Sequence, residues 1–143
     1  MLWNSNYVIG NTLVDSEHKE IFEMVERLIA GDFKGRPDKI MTTVNFLMDY
    51  VKRHFDHEKR LMDESDYPQT DEHVKQHIDF VRVVTQLAEK IEGNLNSIDI
   101  SLEVNTVIVN WLAEHVMGSD RIMIDHYRTW TNNANQGLKN KTL

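Results

Sequence analysis

Apolar residues recur every three or four positions along most of this chain, the period of helices that turn one face to a core. Ile40, Val44, Leu47, Val51 and Leu61 lie on one such line, and His54 and Glu58 occupy two of its positions. The lines His73, His77, Phe80, Val84, Leu87, Ile91 and His18, Phe22, Val25, Ile29 repeat the pattern, as does Val104, Ile108, Trp111, His115. Punctuation between them predicts four helices. The first is capped by Asp15 or Ser16 and runs to about Ala30, where Gly31 and Gly35 stop it. Pro37 suits the first turn of a second, which reaches about Ser65 before Tyr67-Pro68 breaks it. Thr70 caps a third that ends at Gly93, and after the polar Asn94–Ser97 link a fourth runs from about Ser101 to Tyr127. The expected fold is all-α: an up-down-up-down four-helix bundle forming a single domain over residues 1–143. Residues 1–14, with Trp3, Tyr7, Val8 and Ile9, have no helical period and read as an extended arm; residues from about 129 to 143 read as a loose polar tail that Trp130 could pin.

Composition narrows this little but excludes much. With 2 Pro and 6 Gly in 143 residues, long helices are allowed and a turn-rich β fold is disfavoured. A net charge of -7 with scattered Lys and Arg argues against nucleic acid as a partner. The absence of cysteine removes disulfides, thiolate metal sites and thiol catalysis. No signal peptide follows Met1 and no apolar run spans a bilayer, so no membrane insertion and a cytoplasmic location are expected. No feature indicates a protein partner.

The polar groups on the inward stripes carry the chemistry. Burying a lone carboxylate or an unpaired imidazole costs several kcal/mol or a large pKa shift. A bundle with roughly 5–15 kcal/mol of net stability cannot hold several of them uncompensated. Divalent cations supply the compensation, and neutral imidazole with carboxylate suits iron, manganese or zinc. His54 and Glu58 are one helical turn apart and point the same way, as do His73 and His77. A single histidine on an apolar stripe is commonly a hydrogen-bonded core residue; the feature on all four helices reads as metal. His57 and His126 lie off the stripes and read as surface residues.

These residues also carry a family resemblance. Trp3, Tyr7 and Asp15-x-x-His18 are followed by His54-Phe55-x-x-Glu58, Met62 and Tyr67-Pro68, then by His73-x-x-x-His77 and Trp111-Leu112-x-x-His115-x-x-x-x-Asp120. In order and spacing the chain resembles the hemerythrin family, in its single-domain bacterial form, over about residues 3–127. The resemblance implies two iron ions, one bound by His73, His77 and His115 and the other by His18 and His54. Glu58 and Asp120 would bridge them together with a solvent-derived oxide or hydroxide, leaving one coordination position for dioxygen on the second iron.

One element of that set does not follow from ideal geometry. His115 and Asp120, five residues apart, are separated by about 140° on an α-helix and should not share a face. Asp120 continues the neighbouring stripe Val109, Leu112, Val116, so either its side chain reaches across or the helix widens near Gly118. The resemblance selects Asp120; spacing does not.

Two carboxylates and five imidazoles form a less anionic set than the four glutamates and two histidines of ferritin-like sites. Such a set stabilises highly oxidised iron less, so it should favour binding dioxygen over cleaving it. Reversibility requires a dry pocket, for which Trp111, Leu112, Val116, Phe22, Phe55 and Met62 are candidates. Asp15, one turn before His18, is either the helix cap or the acceptor that orients that imidazole. Lys59 stands where relatives often carry an acidic residue, and should face solvent. The expected function is therefore oxygen storage, delivery or sensing without catalysis. The alternatives are a di-iron oxidoreductase using the same centre, directed at iron, peroxide or nitric oxide, and an interaction module whose helices move when oxygen binds.

Overall fold

The computed structural model describes residues 1–31, 37–93 and 99–141. Gly35 and the Asn94–Ser97 link lie outside them. Helix α1 covers Thr12–Ala30, α2 Pro37–Glu64 and α3 Thr70–Gly93. A fourth helix, α4, occupies residues 100–141 and keeps α-region backbone angles across two wide π segments, Asn105–Val109 and Val116–Asp120. Consecutive helices are neighbours, and α4 closes the ring against α1 and α3, giving the expected four-helix bundle. The Ser101 hydroxyl donates to the Ile29 carbonyl at 2.9 Å, joining the start of α4 to an open carbonyl at the end of α1.

The periodic stripes face inward. Phe22, Val25, Ile40, Val44, Leu47, Val51, Phe80, Val84, Leu87, Ile91, Val104 and Ile108 are all buried. The polar interruptions gather at one end of the bundle, where α1 and α3 begin and α2 finishes. Among the described residues, the buried positions toward the other end are apolar. Burial of that size is the dominant stabilising term, at roughly 25 cal/mol per Å² of apolar surface.

The arm and the start of α1 differ from expectation. Asn11, three residues before Val14, is the cap: its Oδ1 accepts the Val14 N–H at 3.1 Å, and the helix opens at Thr12. Asp15 sits in the first turn, where its carboxylate accepts the arm's Ile9 N–H at 2.9 Å and Gly10 N–H at 3.2 Å. It therefore staples the arm and does not cap the helix, and neither ring nitrogen of His18 hydrogen-bonds to it. Trp3 and Tyr7 stack at 5.7 Å and cover Phe22, whose ring lies 4.6 Å from that of Tyr7. Gly10 holds φ +99°, a left-handed angle that strains any side chain, and an added Cβ would lie 2.7 Å from the Arg128 guanidinium. Gly10→Ala is expected to lower unfolding free energy by about 1–2 kcal/mol, read from urea denaturation midpoints.

Thr70 is the first residue of α3, and its hydroxyl donates to the Tyr67 carbonyl at 2.7 Å. The polar tail is helical: α4 continues past Tyr127 to Lys141. Residues 132–141 are exposed, so packing does not hold this extension. Once the buried part of α4 has formed, each added turn costs no new nucleation, and no proline intervenes. The Trp130 ring lies tilted against Tyr127 of the same helix, at 5.7 Å, and remains 39% exposed. It does not pin the tail to the bundle.

Candidate metal centre

His18, His54, Glu58, His73, His77, His115 and Asp120 are all buried. Their inward atoms form two groups. Glu58, His73, His77, His115 and Asp120 make one, and His18, His54, Glu58 and Asp120 the other, each with its donor atoms within 4.8 Å of one another. The two carboxylates belong to both. Glu58 presents Oε1 to His54 Nε2 at 2.6 Å and to His18 Nε2 at 3.5 Å, while its Oε2 lies 3.0 Å from His73 Nε2 and 3.2 Å from His77 Nε2. Asp120 turns Oδ1 to His73 and His115, both at 3.0 Å, and Oδ2 to His18 at 3.1 Å.

Asp120 reaches this position through the wide turn over Val116–Asp120. A π turn bonds residue i to i+5, which brings residues five apart onto one face. Helix widening, one of the two expected solutions, is the one adopted.

The donor set fits cations. Nε2 of His77 and His115 approach to 3.2 Å, a contact of two nitrogens that both aim inward. His18 Nε2, Glu58 Oε1 and both Asp120 oxygens have close neighbours but no hydrogen bond of acceptable geometry. Buried polar atoms left this way are costly. A positive ion between them satisfies all at once.

Electrostatics agree. Burial opposes protonation of His54, but the Glu58 charge and the hydrogen bonds that the imidazole donates to Glu17 and Glu58 override it and push the imidazole up to about 10. For His73, burial is likewise outweighed by Asp120 and Glu58, which push it up to about 9. Burial raises Glu58, yet His54, His18 and His73 hold its carboxyl well below the usual range. Burial and the Glu58 charge raise Asp120, and His115 and His18 pull it below the usual range. Metal ligation needs neutral imidazoles, so ions must displace these protons. Uptake of divalent metal at pH 7 is expected to release about two protons per chain, with affinity rising with pH until about pH 9–10. Calorimetry in buffers of different ionisation enthalpy measures this directly.

Outside the donor set, two side chains fix imidazole orientation, and neither was anticipated. The Glu17 carboxylate is buried and accepts from His54 Nδ1 at 3.3 Å and from His57 Nδ1 at 2.7 Å. Burial would raise its pKa, but the two histidines hold it below the carboxylate norm. Gln76 Oε1 takes His115 Nδ1 at 2.9 Å and the Ser119 hydroxyl at 2.7 Å. A signal for Glu17 exists: Val14, Glu17, Ile21, Met24 and Leu28 form a second buried stripe on α1, stepping three and four, with the glutamate interrupting it. Gln76 has no such signal. His57, expected to be an idle surface residue, is the second partner of Glu17, and His126 Nε2 donates to the Ser65 carbonyl at 2.9 Å. Lys59 is exposed and pairs with Asp63 at 2.6 Å.

Beside the histidines lies a small cavity of about 10 Å³, lined by Ile21, Val51, Phe55, Trp111, Leu112 and Val116 with His18, His54, His115 and Asp120. That is room for about one small molecule. Trp111 stacks on His115 at 4.3 Å and Phe55 on His77 at 3.7 Å. Of the expected pocket residues, Phe22 and Met62 are absent from the wall: Phe22 packs beneath Trp3 and Tyr7, and Met62 is in the apolar core.

Fold and side chains together define a helical bundle with a buried metal-binding site of imidazoles and carboxylates. The family model described as hemerythrin HHE cation binding domain matches residues 10–127. The chain belongs to the hemerythrin family. Similar proteins named Bacteriohemerythrin include one from Stenotrophomonas maltophilia, 26% identical over 132 residues, covering 92% of this chain and 84% of that protein. One from Pseudomonas aeruginosa is 26% identical over 128 residues (90% and 82%). Another, from Clostridium acetobutylicum, is 26% identical over 133 residues (87% and 98%). No solved structure matches significantly. Among the described residues no helix is long and apolar enough to cross a membrane.

Proposed function

We propose that this protein binds dioxygen reversibly at a non-haem di-iron centre. The observation that carries the reading is the sharing of Glu58 and Asp120 by two donor groups, each carboxylate turning one oxygen toward either side. His73, His77 and His115 would hold one iron, His18 and His54 the other, and the two carboxylates would bridge them. A bound iron pair supplies two electrons to dioxygen and takes them back on release.

The unequal histidine count leaves the His18/His54 side with fewer protein donors, and the small cavity is lined by both of those rings together with His115 and Asp120. Apart from the donor residues His18, His54, His115 and Asp120, its walls are apolar, so they exclude water and offer no proton that would help reduced oxygen to leave. This supports binding rather than oxidase chemistry. Leu112→Asn, which places a polar amide in that wall, is expected to shorten the autoxidation lifetime several-fold while metal content stays unchanged, as followed by the visible spectrum and metal analysis.

The deciding experiment is optical. The protein is loaded anaerobically with ferrous iron, oxygen is admitted and then removed, and the visible spectrum is recorded at each stage. A charge-transfer band that appears with oxygen and disappears on its removal is the expected result. Rapid irreversible conversion to a ferric centre would replace oxygen binding with redox catalysis or sensing.

A further inference from the structure

We propose that Glu17 is a positioning residue that makes the two halves of the centre electronically unequal, by giving His54 an anionic support where His115 has only the neutral amide of Gln76. The inference rests on the two-iron reading above and goes beyond it by assigning a role outside the donor set.

A carboxylate can only accept, so the 3.3 Å contact to Glu17 makes His54 Nδ1 a donor, and once a metal ion displaces the proton between Nε2 and Glu58, Nε2 is the nitrogen left with its lone pair facing the site. The Gln76 carbonyl oxygen imposes the same tautomer on His115, at 2.9 Å, and is itself held by the Ser119 hydroxyl at 2.7 Å. Both imidazoles are therefore locked with Nε2 inward, by acceptors that differ by a full charge. An anionic acceptor makes an imidazole the stronger donor, which favours the more oxidised state of the ion it holds. The ion beside His54 is the one to oxidise first.

His57 makes this arrangement durable. Glu17 is 7% exposed, and a carboxylate buried that deeply must have both oxygens engaged. His54 takes Oε1 and the half-exposed His57 takes Oε2 at 2.7 Å. His57 thus fixes the carboxylate from the solvent side and connects the surface of α2 to the centre through Glu17.

The test compares wild type with Glu17→Gln, Gln76→Glu and His57→Gln, by cobalt(II) titration of the apoprotein and by potentiometry of the iron-loaded protein. Glu17→Gln is expected to weaken one of the two cobalt equivalents by about 10–100-fold and spare the other. It should also raise the potential of one oxidation step, and Gln76→Glu should lower the other. His57→Gln should act in the same direction as Glu17→Gln but less strongly, and it keeps the test available should Glu17→Gln fail to fold. Equal weakening of both equivalents, or unchanged binding with unchanged potentials, would overturn the inference while leaving the two-iron reading intact. A wild-type chain that takes up a single cobalt ion would overturn that reading and the inference with it.

Discussion

Replacing Glu58 with alanine is expected to abolish uptake of the ion pair, leaving at most one metal ion per chain by elemental analysis. Each oxygen of this carboxylate serves a different group: Oε1 lies 2.6 Å from His54 Nε2, and Oε2 lies 3.0 Å from His73 Nε2. Asp120 remains, but one carboxylate cannot both bridge two dications and supply the lost negative charge. The side chain is wholly buried, so water does not readily replace it. The same substitution removes the charge that, against the effect of burial, does most to hold His54 up at about 10. In the apoprotein His54 should then titrate at a markedly lower pH, which NMR of the imidazole resonances resolves. Retention of two ions with a normal oxygen spectrum in this variant would falsify the bridging assignment.

Inserting one alanine between Gly118 and Ser119 is expected to be as damaging to metal binding, whereas deleting Gly118 is expected to be tolerated. The wide turn over Val116–Asp120 lets residues five apart share a face. Removing one residue returns His115 and the aspartate to a spacing of four on an ordinary α-helix, which also shares a face. Adding one sets them six apart, about 240° around the axis, and turns the following stretch about 100°. Met123 and Ile124, both buried, would then leave the core. Space does not dictate glycine here, since a Cβ at Gly118 would meet nothing within 4 Å. Metal content and thermal unfolding of the two variants separate the outcomes; equal tolerance of insertion and deletion would show that the turn has no part in placing Asp120.

How much of this was legible in the chain follows from what a local pattern can encode. The stripes through His54-Glu58, His73-His77, His18 and His115 were readable because burial on a helix depends on a period within one segment. Asp120 was not readable from period, because its segment departs from the α-helix that the period assumes. Glu17 lay on a readable stripe beside His18, but an adjacent ligand candidate and an adjacent supporting acid leave the same trace. Asn11 and Asp15 are both competent caps, and the choice was settled by the arm, whose Ile9 and Gly10 amides engage Asp15. The stretch after Tyr127 reads as polar whether it is helical or not, and its continuation depends on the packed helix before it.

The sequence alone determined four helices, the inward position of five imidazoles and Glu58, and, through a family pattern, Asp120. Tertiary structure decided which oxygen faces which ring, that Glu17 and Gln76 stand behind His54 and His115, and that Leu112 and Val116, not Phe22 and Met62, wall the cavity. The reason is physical. A period sets the face a side chain occupies, but contacts of about 3 Å between different helices depend on how deeply and at what angle the helices pack.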